Sequence, residues 1–244
     1  MGYFNTSLLV AAINIRARHR TRFHLRKISI PRRKTRIYPV VKRIAGAILS
    51  TILLILLAPF FFLITLAIRL DSPGPALFRQ TRIGKGGKPF AFYKFRTMHH
   101  DIDRKAHEAF MAAYVNGEIR QDTHEQTVFK PAKDDQITRV GRLLRKTSLD
   151  ELPQLLNIAK GEMSFIGPRP NVPAEVEAYQ GWHRKRLDVL PGVTGLAQIN
   201  GRSSIPFDQI VRYDVEYVEN ESLRMDLTVL WRTIPVVVLR RGAK

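Results

Sequence analysis

Hydrophobic positions along this chain fall into three regimes. Residues 44–68 form an apolar run with no charged side chain, and at about 1.5 Å per residue a helix of that length reaches across a bilayer core of about 30 Å. Downstream, two short runs, Ala76-Leu77-Phe78 and Phe90-Ala91-Phe92-Tyr93, predict strands. Further on, apolar side chains recur at three- and four-residue spacing, the mark of amphipathic helices. Ile137, Val140, Leu143 and Leu144 set one helix, and Leu152, Leu155, Leu156 and Ile158 set the next. Residues 175–187, 208–218 and 227–239 predict three more, with Val229, Leu230 and Val236-Val237-Val238-Leu239 read as packing positions.

Punctuation refines this pattern. Pro59 lies just past the middle of the apolar run, where it removes a backbone hydrogen bond and clashes with the preceding turn, so a kink or break is expected there. Basic residues flank the run on both sides, Lys42 and Arg43 before it and Arg69, Arg79, Arg82, Lys85, Lys88, Lys94 and Arg96 after it. A simple spanning helix carries its basic excess on one side. The pattern therefore favours a re-entrant helix with both ends on the cytoplasmic face over a kinked spanning anchor, provided the carbonyls freed at the break find partners. A cleaved signal peptide does not fit, because the basic arm ahead is long and Arg69-Leu70-Asp71-Ser72-Pro73 offers no small-residue cleavage site.

Asp71-Ser72-Pro73-Gly74-Pro75 reads as a turn leading into the first strand. Gly84-Lys85-Gly86-Gly87-Lys88 reads as the turn of a hairpin rather than a phosphate loop, since it lacks the Gly-Lys-Ser/Thr ending and a helical run behind it. Residues 99–134 are read as a surface helix and loop; His99, His100, His107 and His124 there lack metal-ligand spacing.

Composition changes the picture at two points. The net charge of +19 is concentrated in an N-terminal arm containing Arg16, Arg18, Arg20, Arg22, Arg26, Lys27, Arg32, Arg33, Lys34 and Arg36. Such an arm seeks phosphates. The charge-free segment beside it favours anionic lipid, and no nucleic-acid module or interleaved aromatic pattern is present. The absence of cysteine excludes a disulfide framework, a thiolate zinc site and a cysteine nucleophile. With 244 residues and 45% apolar content, the reading is an α/β, mainly helical chain. It divides into a basic extension (1–41), a Pro-broken re-entrant membrane helix (42–70) and a single catalytic domain (71–244) with a short β-hairpin and amphipathic interfacial helices.

The candidate chemistry lies in Ser148-Leu149-Asp150-Glu151-Leu152-Pro153, with Arg139, Arg142, Arg145 and Lys146 upstream and Gly167-Pro168-Arg169-Pro170 downstream. Two readings stand side by side. Ser148 and Glu151 have the spacing of a capping box, and acidic residues favour helix N-termini for dipole reasons alone. Alternatively, the carboxylates act on a polyanionic substrate. A carboxylate at a helix start among arginines is expected to have a lowered pKa and stay an anion, as a phosphorus nucleophile or a magnesium ligand must. The same dipole and cations suit a pyrophosphate. Lys94 and Arg96, at a strand end, either enter this cleft or face water. Trp182, beside His183, Arg184, Lys185 and Arg186, suits a membrane interface and a helix lying over the core equally.

Several segments taken in order resemble the bacterial sugar transferases, the monotopic polyprenyl-phosphate phosphoglycosyl transferases. They are Lys42-Arg43, the Pro59 segment, Asp71-Ser72-Pro73-Gly74-Pro75, Phe78-Arg79-Gln80, Lys94-Phe95-Arg96-Thr97-Met98, residues 148–155, Gly161-Glu162-Met163-Ser164, Gly167-Pro168-Arg169-Pro170, Pro191-Gly192-Val193-Thr194-Gly195 and Asn200-Gly201-Arg202. Asp214, Tyr217, Asn220, Ser222 and Asp226 resemble the closing pattern of that family. The likeness is to the short members that begin exopolysaccharide or glycan assembly. It departs at Gly46, where the family has an aspartate, at Ala58, where it often has a serine, and at Asp134-Asp135.

The resemblance implies that Asp150 attacks the β-phosphate of a UDP-sugar, releases UMP and passes the sugar phosphate to undecaprenyl phosphate in a ping-pong reaction. Glu151, with Asp150, would hold Mg²⁺ or manage the acceptor proton. Arg145, Arg169 and Arg202 would neutralise phosphates, with Lys94 and Arg96 lining the site. The implied setting is the cytoplasmic face of a bacterial inner membrane, with membrane lipids as partners and no nucleic acid. A non-enzymatic lipid-binding or regulatory module is the alternative, and homo-oligomerisation stays open.

Overall fold

An apolar helix pair leads the fold: α1, Ile37–Leu56, and α2, Ala58–Asp71. The computed structural model describes residues 37–99, 113–115, 136–201 and 205–238. The helices part at Leu57, with φ −90° and ψ 1°, and Pro59 falls in the first turn of α2. There its missing N–H would be unpaired in any case, so the break the sequence predicts sits where proline is best tolerated. Helix is already formed at Ile37 and persists to Asp71, so the pair exceeds the expected 42–70 at both ends. The hydroxyls of Ser50 and Thr51 both donate to the Ala47 carbonyl, at 3.0 and 2.8 Å, a back-bonding that bends helices. Around the break the surface is apolar and exposed, with Ile55 at 70%, Leu56 at 69% and Phe62 at 68%. By length and composition α1 is able to cross a membrane.

The hairpin follows as read. Strand β1, Leu77–Ile83, pairs antiparallel with β2, Pro89–Phe95, from Leu77 opposite Phe95 to Ile83 opposite Pro89. Gly86 and Gly87 turn it with φ of 68° and 76°, a left-handed conformation that glycine adopts without Cβ strain.

The remaining elements are α3, Arg139–Thr147; α4, Gln154–Ala159; β3, Ser164–Ile166; α5, Pro173–Glu177; β4, Gly192–Thr194; α6, Leu196–Ile199; α7, Phe207–Asn220; and α8, Leu223–Val238. Strands β3 and β4 pair in parallel, and at three residues each they leave no periodic signal in the sequence. The expected helix over 175–187 is instead α5 followed by a 3-10 segment, Gly181–Asp188. The His183 imidazole accepts from the Gln180 N–H at 3.3 Å, and this local cap starts a new turn instead of extending the old one. Trp182 packs against the core around Val176, Tyr179 and Phe207, so of its two readings the core one holds. Leu230 is 47% exposed while Val229 is fully buried, which corrects Leu230 as a packing position. Residues 100–112 and 116–135, with His100, His107 and His124, lie outside the described residues.

Both limbs of the helix pair attach to the same body. Leu53, Leu54 and Leu57 lie against Phe92, Leu155, Ile158 and Met163, whereas Ile64 and Ile68 pack with Ala76, Phe95 and Leu144. A polar lock secures the start of α1. Lys42 Nζ reaches Glu221 Oε1 at 3.2 Å, Asp226 Oδ2 at 2.9 Å and the Tyr217 hydroxyl. The Tyr38 and Tyr217 hydroxyls also donate to Asp226, at 2.6 and 2.5 Å. Burial of this cluster is tolerable because each charge has a partner.

Candidate active site

The carboxylate pair is presented by a sharp change of chain direction after α3. Ser148 adopts φ 58°, the left-handed region, and closes α3 with its N–H on the Arg145 carbonyl. It makes no side-chain cap, so the capping-box reading is not realised. Leu149–Glu151 form a single 3-10 turn, and Pro153 precedes α4. Asp150 and Glu151 therefore sit on a tight turn between two helices, not on a regular helix start.

Neighbouring elements fix that turn. Helix α3 is capped by Thr138, whose Oγ1 accepts from the Gly141 N–H at 2.9 Å, and by Asp71 at the end of α2, whose Oδ2 accepts from the Val140 N–H at 2.8 Å. Gly141 lets α3 approach the end of β2, since a Cβ there would lie 2.1 Å from the Thr97 carbonyl oxygen. On the other side, the fully buried Asn157 of α4 donates to the Ala91 carbonyl at 2.6 Å and accepts from the Tyr93 N–H at 3.2 Å. The strand carrying Lys94 is thereby stitched to the helix that follows the carboxylates.

Three of the expected cations, Arg169, Arg145 and Lys94, surround the two carboxylates of the turn. Glu151 Oε1 pairs with Arg169 Nη1 at 2.9 Å. Asp150 is 9% exposed and lies in the field of Glu151, Lys94, Arg169 and Arg145. Arg145 Nε donates to Thr97 Oγ1 at 2.9 Å. The Lys94 ammonium stands 5.8 Å from the centre of the Phe78 ring.

The electrostatics correct one expectation. Burial, and then the adjacent Glu151, push the Asp150 carboxyl above its ordinary value, and Lys94, Arg169 and Arg145 only partly offset this. Cations alone suggested a lowered pKa; removal of water from a 9%-exposed group outweighs them. Lys94 moves the opposite way, down to about 8, chiefly through burial and then through Arg169, with Asp150 and Glu151 restoring part of its charge. Arg169 is held fully protonated, first by Glu151.

Arg96 is placed elsewhere. Its Nη1 donates to the Pro73 carbonyl at 2.6 Å, and its Nη2 to the Ser72 carbonyl at 2.6 Å and to Ser72 Oγ at 2.9 Å. Arg96 is 5% exposed and serves as a clamp on the exit of α2, a correction of its expected place lining the site. A strand-end cation looks the same in sequence whether it meets substrate or backbone. Arg202 lies outside the described residues.

Among the described residues no three His, Cys, Asp or Glu side chains converge on one point. Mg²⁺ is commonly held by one or two carboxylates together with substrate phosphates. The Asp150–Glu151 pair therefore fits such an ion when it is shared with a bound pyrophosphate. Taken together, the turn offers a carboxylate pair facing two arginines and a lysine, a charge pattern suited to a pyrophosphate-containing substrate.

Comparison with known proteins agrees with this chemistry. Residues 37–240 match the family described as bacterial sugar transferase. The exopolysaccharide production protein ExoY of Sinorhizobium fredii is 41% identical over 207 residues, covering 84% of this chain and 88% of that protein. The UDP-glucose:undecaprenyl-phosphate glucose-1-phosphate transferase of Caulobacter vibrioides is 40% identical over 210 residues, 83% of this chain and 71% of that one. The galactosyl transferase CpsE of Streptococcus agalactiae is 39% identical over 210 residues, and the chain, with 86% of its own length matched, spans only 43% of it. A match that runs from the first described helix through α8, together with relatives of this identity and coverage, establishes that the chain belongs to the bacterial sugar transferase family.

Proposed function

We propose that the chain transfers a sugar 1-phosphate from a UDP-sugar to undecaprenyl phosphate, giving undecaprenyl-diphospho-sugar and UMP. The observation that carries this reading is the buried Asp150 on a turn with Glu151, among Arg145, Lys94 and Arg169. In the first half-reaction a carboxylate oxygen of Asp150 attacks the β-phosphorus. The bond from that phosphorus to the bridging oxygen breaks, and UMP departs with the electron pair. In the second, a phosphate oxygen of undecaprenyl phosphate attacks the same phosphorus and Asp150 leaves as a carboxylate. A nucleophilic carboxylate of this kind produces ping-pong kinetics.

Arg169 and Lys94 would face the charge that develops on the transferring phosphoryl group, and Arg145 would hold the flank of the same cleft. Glu151, held by Arg169, would share Mg²⁺ with Asp150 and the pyrophosphate; the ion would supply charge neutralisation. Protein groups thus provide positioning and a preorganised field, which is most of what phosphoryl transfer needs.

Two anchors of the helix pair support a membrane placement. Lys42 ties the start of α1 to Glu221 and Asp226, and Arg96, just after β2, ties the exit of α2 at Ser72 and Pro73 to the same body. A segment whose two ends grip one body would enter and leave a bilayer on one face, which supports the re-entrant path; the basic residues flanking both ends favour the cytoplasmic face. Helix α8 exposes Leu223, Leu227, Leu230, Trp231 and Ile234 beside Arg224 and Arg232, a composition suited to lying at that interface.

The test is UMP release from a panel of UDP-sugars by purified protein in nanodiscs, with Mg²⁺ and undecaprenyl phosphate, beside Asp150→Asn. Acceptor-dependent release that disappears in the variant is expected and would identify the sugar. Release unaffected by Asp150→Asn, or silence across all nucleotide sugars, would overturn the reading.

A further inference from the structure

Arg169 sits in a segment that offers few handles. Pro168 and Pro170 have no backbone N–H, and Pro170 confines Arg169 to extended conformations. Apart from the Arg169 N–H, only carbonyls remain to fix the main chain of this stretch from outside. Three consecutive carbonyls are all engaged: Pro168 O accepts from the Gly192 N–H at 2.9 Å, Arg169 O from Arg186 Nη2 at 3.1 Å, and Pro170 O from Arg82 Nη1 at 3.1 Å.

The two guanidiniums come from different elements and are themselves fixed. Arg82, on β1, donates its Nη2 to Gln80 Oε1 at 2.9 Å and lies 5.4 Å from the centre of the Phe92 ring. Arg186, in the 3-10 segment, pairs with Asp214 at 2.5 Å and donates to the Tyr179 hydroxyl at 2.9 Å; Arg186 and Asp214 are 3% and 1% exposed. Arg82 divides its two terminal nitrogens between Gln80 and the Pro170 carbonyl, whereas in Arg186 Nη1 donates to Tyr179 and Nη2 faces both Asp214 and the Arg169 carbonyl. A lysine ammonium has one nitrogen and cannot span the positions of both terminal guanidinium nitrogens.

We propose that Arg82 and Arg186 are positioning residues that grip the main chain at Arg169 and Pro170 and so aim the Arg169 guanidinium at Glu151 and the substrate phosphate. The activity readout rests on the transferase reading above; the geometric readout does not. Arg82 and Arg186 act through Arg169, their terminal nitrogens donating to the Pro170 and Arg169 carbonyls.

A double-mutant cycle tests this. Arg82→Lys and Arg186→Lys are each expected to lower kcat/KM for the UDP-sugar by about ten- to a hundredfold, the scale of an ångström-level misplacement of a positioned group. In an Arg169→Ala background the same substitutions are expected to change kcat/KM by less than about twofold, because the group they aim is gone. Effects that multiply in full across the two backgrounds would overturn the proposal, since a general structural role does not depend on Arg169.

Lysine keeps a charge opposite Asp214, and thermal unfolding monitors the fold of each variant. If Arg186→Lys does not fold, Arg82→Lys carries the cycle. If the wild-type protein turns over no nucleotide sugar, the transferase reading fails, and the proposal is then judged from an experimental structure of Arg82→Lys. Loss of the Arg169–Glu151 contact is expected there, and its retention at 2.9 Å would overturn the proposal.

Discussion

Lys94 gives the sharpest pH prediction. Burial and the nearby Arg169 bring its ammonium down from 10.5 to about 8. At that value about nine tenths of it is charged at pH 7, about half at pH 8 and about one tenth at pH 9. If the charged form faces the phosphoryl group, kcat/KM for the UDP-sugar falls along the alkaline limb with a midpoint near 8, because that ratio reports groups of the free enzyme. The limb in kcat lies higher, since a bound phosphate favours the ammonium. Lys94→Arg keeps a cation that does not titrate in this range, so its limb moves up by more than about one unit even if its plateau is lower. The stability sign is the reverse of the activity sign. The folded state holds the Lys94 proton less tightly than the unfolded chain does, so a folding cost present below about 8 is relieved as pH rises from about 8 towards 10.5. Initial rates of UMP release across the neutral to alkaline range, at constant ionic strength, measure the limb. A wild-type limb near the ordinary lysine value, or one that Lys94→Arg leaves in place, would refute the reasoning.

Other perturbations separate the roles of the remaining groups. Asp150→Asn abolishes turnover yet raises the melting temperature by about 2–4 °C, on the order of 1 kcal/mol for a chain of this size, because a buried charge with a raised pKa is removed; a lower melting temperature would contradict this. The stability penalty of the Asp150 charge is present above the unfolded carboxyl value and fades as pH falls, so the gain in Asp150→Asn shrinks in acid. Lys42→Met leaves Asp226 and Glu221 without their shared cation and lowers stability by about 3–5 kcal/mol, read by chemical denaturation. Arg96→Lys lowers the melting temperature through the α2 exit while leaving KM for the UDP-sugar unchanged; a raised KM with an unaltered melting temperature would place Arg96 in the site after all. Gly141→Ala drives a Cβ into the Thr97 carbonyl at 2.1 Å and destabilises by about 1–3 kcal/mol, with activity falling as Thr97 and Arg145 shift.

Much of the fold is legible in the sequence wherever a residue acts through its own local chemistry. Pro59 marks the helix break, Gly86 and Gly87 mark the hairpin turn, and the periodic leucines mark α3 and α4. Asp150, Glu151, Arg145, Arg169 and Lys94 lie close to one another, a grouping suggested by the family resemblance and not by spacing, which left Lys94 open between cleft and water. What the sequence does not disclose depends on partners distant along the chain. Arg96 and Arg169 are both arginines beside prolines or turns, yet one meets the Ser72 and Pro73 carbonyls and the other meets Glu151. Ser148 has the spacing of a cap, but its left-handed backbone turns the chain and no side-chain cap forms. The direction of the Asp150 shift depends on how much water the packed turn excludes, a quantity no motif contains. Arg82, Arg186 and Asp214 carry no local signal of their place, because the bonds that define it span 17 to 88 residues of sequence or cross between helices.

The central claim is a covalent sugar phosphate on Asp150, and intact-protein mass spectrometry after incubation with the UDP-sugar and Mg²⁺, without acceptor, tests it most directly. The account predicts a mass increase of one sugar phosphate, located to the peptide containing Asp150, absent from Asp150→Asn and discharged by undecaprenyl phosphate. Efficient acceptor-dependent turnover with no such adduct under rapid quench would contradict it and point to direct transfer between the two bound substrates.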